Sequence, residues 1–365
     1  MDLAALRADI PACESCAYLN TGASGPAPRP VVEAVAAAQR DHEFDACSRG
    51  HYEADADLRA RAREAIAGHV GCRPAEVALV ASTGDGLSRV ANALEWRPGD
   101  RVVRTDLEHP CGVLPWRRLE AEGVAVETLP CPDGRLPMDA YREAVQDARL
   151  VCLSSESWLH GTRLPVAEAV DVAHDAGALV VVDAVQTVGQ HPVDVGEWGA
   201  DAVCASGHKW LLGPWGTGFL VVDAEAVSTF RPRHLGSRSV VDPTGPDLSY
   251  HPDARRFEVS TKAVAPYAGL IEAVDALESI GLETVESRVA RLTDRLKAGI
   301  GDRLVSPVDY ESGLVAFRPP GDAAAFVERA AASDVVVRDL PTGTVRAAVH
   351  AFNTEGDVDA LLGLL

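Results

Sequence analysis

Apolar residues recur along the chain in two alternating textures. From Val77 to Asp223, short β-rich runs come one after another: "VALVA", "RVVRT", "VAVETL", "LVCLS", "ALVVVD", "ADAVCAS" and "GTGFLVV". The stretches between them carry helical spacing, as in "PVAEAVDVAHDAGA", with apolar positions at i, i+3 and i+4 and a glycine near the end. Strands that alternate with helices predict a mostly parallel sheet covered on both faces, an α/β fold. Ligands of such sheets sit in the crevice beyond the carboxyl ends of the strands.

Two amphipathic segments, "RPVVEAVAAAQRDHEFD" and "ADADLRARAREAIAGHV", precede these runs and are expected to be helices. After a stretch rich in Pro, Gly and Asp, residues 231–256, the texture changes. Long helices are expected from Val264 to about Ile300. Short strands follow at "GLVAF", "DVVVR" and "TVRAAV", with a helix near "AAAFVERAA" and a last one from Glu355. A domain boundary is placed near Arg255, with a larger α/β unit before it and a smaller α+β unit over 256–365.

The length of 365 residues and a hydrophobic share of 47% suit one large domain with a smaller companion and argue against disorder. Acidic residues outnumber basic ones, 54 to 34, and the net charge of −20 argues against a nucleic-acid surface. With so little lysine, that acidity points to a cytoplasm rich in salt. No apolar run approaches the ~20 residues of a membrane helix. The start, "MDLAALRADIPACESC", lacks the basic end and apolar middle of a signal peptide. A cytoplasmic protein with reduced cysteines is expected, and Cys13 and Cys16, a lone C-x-x-C, are not assigned to a metal.

The chain has only three lysines, Lys209, Lys262 and Lys297. Lys209 stands in "ASGHKWLLGP", where a residue kept only for charge could be arginine; an amine that attacks a carbonyl could not. "ALVVVD" ends in Asp183, which is read either as a cap of the next turn or as the partner of a buried cation. One further strand separates it from Lys209, so both side chains emerge at one edge of the sheet. A carboxylate for a pyridinium nitrogen and a lysine for a Schiff base are the two fixed requirements of pyridoxal phosphate chemistry. "ASTGDGLSRVANAL" puts small residues between a strand and a helix, a capped turn or a phosphate cup. His109 in "TDLEHPCGVLPW" reads alone as a packed histidine, and Arg346 in "TVRAAVHAFNTEGDVD" as a salt-bridge partner.

The segment from "VVVDAVQTVGQ" through "ASGHKWLLGPWGTGFLVV" resembles the lysine region of the class V aminotransferase family, which includes cysteine desulfurases and isopenicillin N epimerase. The likeness runs from "YLNTGASGPAP" to "HAFNTEGDVDALL". It implies the fold-type I architecture: a seven-stranded sheet in a large domain at 21–255, a small domain at 256–365, and residues 1–20 packed on the small domain. It implies pyridoxal 5'-phosphate held covalently by Lys209, with Asp183 on the ring nitrogen and Gln186 on the phenolic oxygen. Thr83, Gly84, Ser206 and His208 would hold the phosphate, His109 would stack on the ring and relay protons, and Arg346 would clamp the substrate carboxylate. Thr261, in "RRFEVSTKAVAP", would reach the phosphate of a partner subunit, which implies a homodimer with a shared site.

The pattern breaks in places. Cysteine desulfurases carry a catalytic cysteine just before the carboxylate-binding arginine; here that interval, "RDLPTGTV", is short and has none. Trp158, in "SSESWLHG", stands where the family has an asparagine near the ring, and Ser155 where many relatives have histidine. Trp210 is read as core. The expected function is an aminotransferase acting on an amino-acid-like substrate, with a C–S or β-lyase of the desulfurase type as the alternative and a non-catalytic relative as a remote one. Residues 231–256 are expected to line the entrance.

Overall fold

The computed structural model describes residues 1–44 and 50–365. Twelve strands are present among the described residues. In chain order they are β1 (Ala17–Tyr18), β2 (Val77–Val80), β3 (Arg101–Thr105), β4 (Ala125–Leu129), β5 (Leu150–Ser154), β6 (Leu179–Asp183), β7 (Ala202–Ser206), β8 (Gly218–Val222), β9 (Leu314–Phe317), β10 (Val335–Val336), β11 (Arg338–Asp339) and β12 (Val345–Ala348).

Strands β2 to β8 form one seven-stranded sheet in the order β2-β8-β7-β6-β5-β3-β4. β4, β3, β5, β6 and β7 run parallel, while β8 is antiparallel to both of its neighbours. The unbroken apolar runs in the sequence have a direct cause. Alternate residues of each central strand feed two separate cores, one on each face: Val151, Leu153, Val180 and Val182 on one side, Leu150, Cys152, Val181 and Cys204 on the other. A strand buried on both faces has no polar face to show. Helix Ala265–Ile280, beyond the boundary placed near Arg255, packs on helices Arg29–Phe44 and His51–Val70 and adds Tyr267, Leu270 and Val274 to the first of these cores.

A second, three-stranded sheet, β11-β12-β9, is antiparallel and lies over a core containing Leu292, Leu296, Phe317 and Phe326. Helix Leu282–Ile300 supplies the first two from a face with buried residues at 282, 285, 289, 292, 296 and 300. "DVVVR" is not one strand. Val335 and Val336 pair in parallel with Ala17 and Tyr18, whereas Arg338 and Asp339 pair with β12. Asn20 also bridges to Ala348. Residues 17–20 are therefore tied to strands formed by the last part of the chain.

Candidate active site

The carboxyl ends of β3, β5, β6 and β7 converge on a cavity of 180 Å³. Asp183 is the last residue of β6 and lines it. The Asp183 carboxylate accepts from the Val185 N–H at 3.0 Å, and burial pushes its pKa up, opposed by that bond and by Lys209. Lys209 lies in the loop after β7 and lines the same cavity. Burial brings its pKa down to about 8; Asp183 opposes this, and Arg346 adds to it.

Opposite these two, helix Thr83–Ala91 begins at the cavity wall. Ser82 caps it by accepting from the Asp85 N–H at 3.2 Å. Ser206, the last residue of β7, accepts from the Thr83 N–H at 2.7 Å and shares a hydrogen bond with the Thr83 hydroxyl at 2.7 Å. This welds the helix start to the strand end and gathers two hydroxyls beside Gly84. His208 lines the same wall, its ring stacked on the exposed Trp215 with centroids 4.6 Å apart. Burial, then Lys209, lowers its pKa to about 4, so the ring is neutral.

His109 follows β3 and forms another part of the lining. Its Nδ1 accepts from the Cys111 N–H at 3.3 Å, which leaves the proton on Nε2. Burial, then Lys209, brings its pKa to about 4. Beneath it, the buried Glu108 carboxylate accepts from the hydroxyls of Thr105 and Ser154 and from the Ser154 N–H, joining the ends of β3 and β5. Burial raises its pKa to about 7. Trp158 meets the His109 ring edge to face at 5.1 Å.

Arg346 on β12 is 1% exposed and closes the cavity from the small sheet. Its Nη1 donates to the Trp158 carbonyl at 2.9 Å, but Nε and Nη2 are buried without a partner. Burial, then Arg338, brings its pKa down to about 9, a cost that a bound carboxylate would relieve. Arg338 lines the cavity too and sits directly opposite Arg346 across the β11–β12 pair. Like charges directly opposite one another in a ladder repel, a cost that a bound anion would relieve. Gly22 makes room for it, since a Cβ there would stand 2.6 Å from Leu314 Cδ2 and 3.0 Å from Arg346 Nη2.

These groups fit pyridoxal phosphate. The buried carboxylate raised by its surroundings suits a pyridinium, the capped helix start with Thr83 and Ser206 suits a phosphate, and the amine depressed to about 8 suits a Schiff base. The profile of the family described as Aminotransferase class-V matches residues 17–309. The chain belongs to that family. This class-V protein is 31% identical, over 98% of its length and 95% of the relative's, to a probable cysteine desulfurase of Methanothermobacter thermautotrophicus. Its structure superposes on apo cysteine desulfurase from Thermococcus onnurineus with a TM-score of 0.91, 28% identity and 98% and 96% of the two chains covered. A third likeness is to the cystine C–S lyase C-DES in complex with its product cysteine persulfide: TM-score 0.90, 25% identity, 97% and 98% covered. Pyridoxal phosphate is the cofactor of the class-V site.

Lys209, Asp183, Gln186, His109, Thr83, Gly84, Ser206, His208 and Arg346 all line this one cavity of the class-V chain. Thr261 does not; it lines a separate surface cavity with Tyr52, Asp55, Arg238 and Lys262. Residues 231–256 contribute nothing to the lining described. Within them, Arg238 pairs with Asp55 of helix His51–Val70, and Arg256 donates to the carbonyls of Val227 and Phe230. Ser155 also stays outside and braces the Asp183 backbone carbonyl. Arg338, Gly22 and Ser82 escaped notice in the sequence. Arg338 had a signal: two arginines flanking the tight "DLPTGTV" turn of a hairpin face one another across it. Of the cysteines described, only Cys111 reaches the cavity, packed where a Cβ on Gly84 would be 3.1 Å from its sulfur.

Proposed function

We propose that this protein is a pyridoxal phosphate-dependent lyase that cleaves the C–S bond of a cystine-like amino acid and releases the sulfur fragment directly. The observation that carries this reading is the β11–β12 hairpin. Its turn, Leu340–Gly343, contains no thiol, and it presents Arg338 and Arg346 side by side. A desulfurase hands sulfur to a protein cysteine; here Cys111, the described cysteine that lines the cavity, packs beside Gly84 in the turn after β3 and is not on the hairpin. This reading replaces the aminotransferase as first choice, and the curated relatives named cysteine desulfurase support a sulfur amino acid over a general amino donor.

When bound, the cofactor withdraws electrons from the substrate Cα. The chain's own residues do the rest. Arg346 takes the α-carboxylate as a two-pronged donor, which fixes Cα over the site. Arg338 is placed for a second carboxylate, such as the far half of a disulfide-linked amino acid. Lys209 is the nearest amine able to take the Cα proton, and burial, by bringing its pKa down to about 8, leaves a larger share of it unprotonated near neutral pH than an exposed lysine would have. His109, neutral with a proton on Nε2, is placed to donate a hydrogen bond into the cavity. The sulfur leaves as a persulfide anion with the bonding pair, and the three-carbon remainder takes up water to leave as pyruvate and ammonium.

The test is product analysis with cystine and with cysteine. Pyruvate and ammonium formed without any α-keto acid, and still formed by a Cys111→Ser variant, are expected. Alanine as the carbon product would make the protein a desulfurase, and dependence on a keto acid would make it an aminotransferase. Thr261 lies exposed, outside its own chain's cavity, beside the exposed Tyr52. That supports a homodimer in which it serves a partner's site, to be tested by sedimentation.

A further inference from the structure

Trp210 directly follows the cofactor lysine, yet it does not line the cavity. It is fully buried and held on several sides. A Cβ on Gly313 would stand 2.9 Å from its Cη2, and one on Gly189 would stand 2.7 Å from its backbone carbon. His350 donates from Nε2 to the Trp210 carbonyl at 2.9 Å and stacks against the ring, centroids 5.8 Å apart. So tight a slot leaves the indole one orientation. In it, Nε1 donates to Gln186 Oε1 at 2.8 Å.

An indole N–H can only donate, so whichever end of the Gln186 amide meets it must be the oxygen. The other end, Nε2, donates to the carbonyl of Gly22 at 3.0 Å, and Gly22 lines the cavity. The backbone of this loop is fixed as well: Gln190 Nε2 donates to the Gln186 carbonyl at 2.6 Å and to Glu156 at 3.1 Å, while Gln190 Oε1 accepts from the Gly313 N–H. We propose that Trp210 is a positioning residue: its indole N–H locks the Gln186 amide with the carbonyl turned away from the cavity, so that Gln186 meets the cofactor's phenolic oxygen only as a donor. The inference rests on pyridoxal phosphate occupying this cavity. A donor at that oxygen favours its anionic form and lowers the pH at which the bound cofactor loses its proton. An amide free to turn its carbonyl inward favours the protonated form.

The experiment is a pH titration of the visible absorption band in the cofactor-loaded protein. Three chains are compared: wild type, Trp210→Phe, and a chain with benzothienylalanine at 210, which keeps the indole shape without the N–H and covers a Phe variant that fails to fold. Asp183, His109, Lys209, His208, Arg338 and Arg346 face the cavity identically in all three. Both replacements are expected to keep the cofactor fixed by borohydride and to raise the titration midpoint by about one pH unit, as loss of one hydrogen bond to a charged group would. In a Gln186→Ala background the same replacements should shift nothing further. A benzothienyl chain with the wild-type midpoint overturns the proposal, as does a shift that persists in full without Gln186. A wild-type chain that gains no visible band with pyridoxal phosphate overturns the cofactor reading and this inference together.

Discussion

The burial of Lys209 lowers the pKa of its amine. An amine must be unprotonated to attack an aldehyde, and an exposed lysine is so only above pH ~10. With its pKa down at about 8, the fraction of free amine falls only as the pH drops below about 8. We therefore expect the rate at which the apo protein gains visible absorption on adding pyridoxal phosphate to rise with pH and to reach half its maximum near 8. A midpoint close to 10 would mean that the amine is solvated. Lys209→Ala should abolish borohydride fixation, since neither Lys262 nor Lys297 reaches the cavity. Lys262 is also depressed by burial, to about 7, but its Nζ is spent on the Leu79 carbonyl and the Tyr267 hydroxyl. At this scale the sequence was informative for Lys209 and Asp183 because each is costly where it stands unless it does chemistry. The resemblance named Gln186 but not its partner, the Trp210 indole, which is 24 residues away and meets it only through the fold.

Among the elements, the β11–β12 hairpin carries the arginine pair on which the proposed substrate preference rests. Arg338→Ala removes one of two facing guanidiniums. It should raise KM for a substrate with two carboxylates by ~10-fold or more while changing KM for one with a single carboxylate far less, as steady-state kinetics on cystine and cysteine would read. A second link is structural. Glu258 is buried and accepts from Arg59 and Arg63 on helix His51–Val70 and from the Leu79 N–H of β2, at 3.2, 2.6 and 3.0 Å. Glu258→Ala strands two guanidiniums and should lower stability by roughly 3–5 kcal/mol in urea unfolding. The central strands of the large sheet were legible because burial on both faces leaves an unbroken apolar run, whereas the edge strand β4 is largely exposed. β1 was not legible, because two residues carry no period, and "DVVVR" read as one strand because nothing in its composition marks the switch of partner at Val337. Thr261 lies outside its own chain's cavity, and the surface it faces is not written in one chain.

The whole molecule carries a net charge of −20, and its lysine-poor surface repels itself in dilute salt. Raising ionic strength from 0.1 M to 1 M shortens the screening length from ~10 Å to ~3 Å. The melting midpoint should rise over that range, each kcal/mol of relieved repulsion being worth roughly 2–4 °C at most for a chain of this size. A flat or falling midpoint would count against adaptation to salt. Among the described residues no helix is long and apolar enough to cross a membrane. The pairing of β1 with β10, and of Asn20 with Ala348, has a consequence in time. A ribosome delivers Gly22 and Ala23 early, but the strands that hold them against Arg346 emerge more than three hundred residues later. The sheet ending in Asp183 and the loop bearing Lys209 come off the ribosome first, whereas Arg338 and Arg346 join the cavity only as the last strands dock. In a nascent chain the buried amine is thus made well before the arginine pair that would face it.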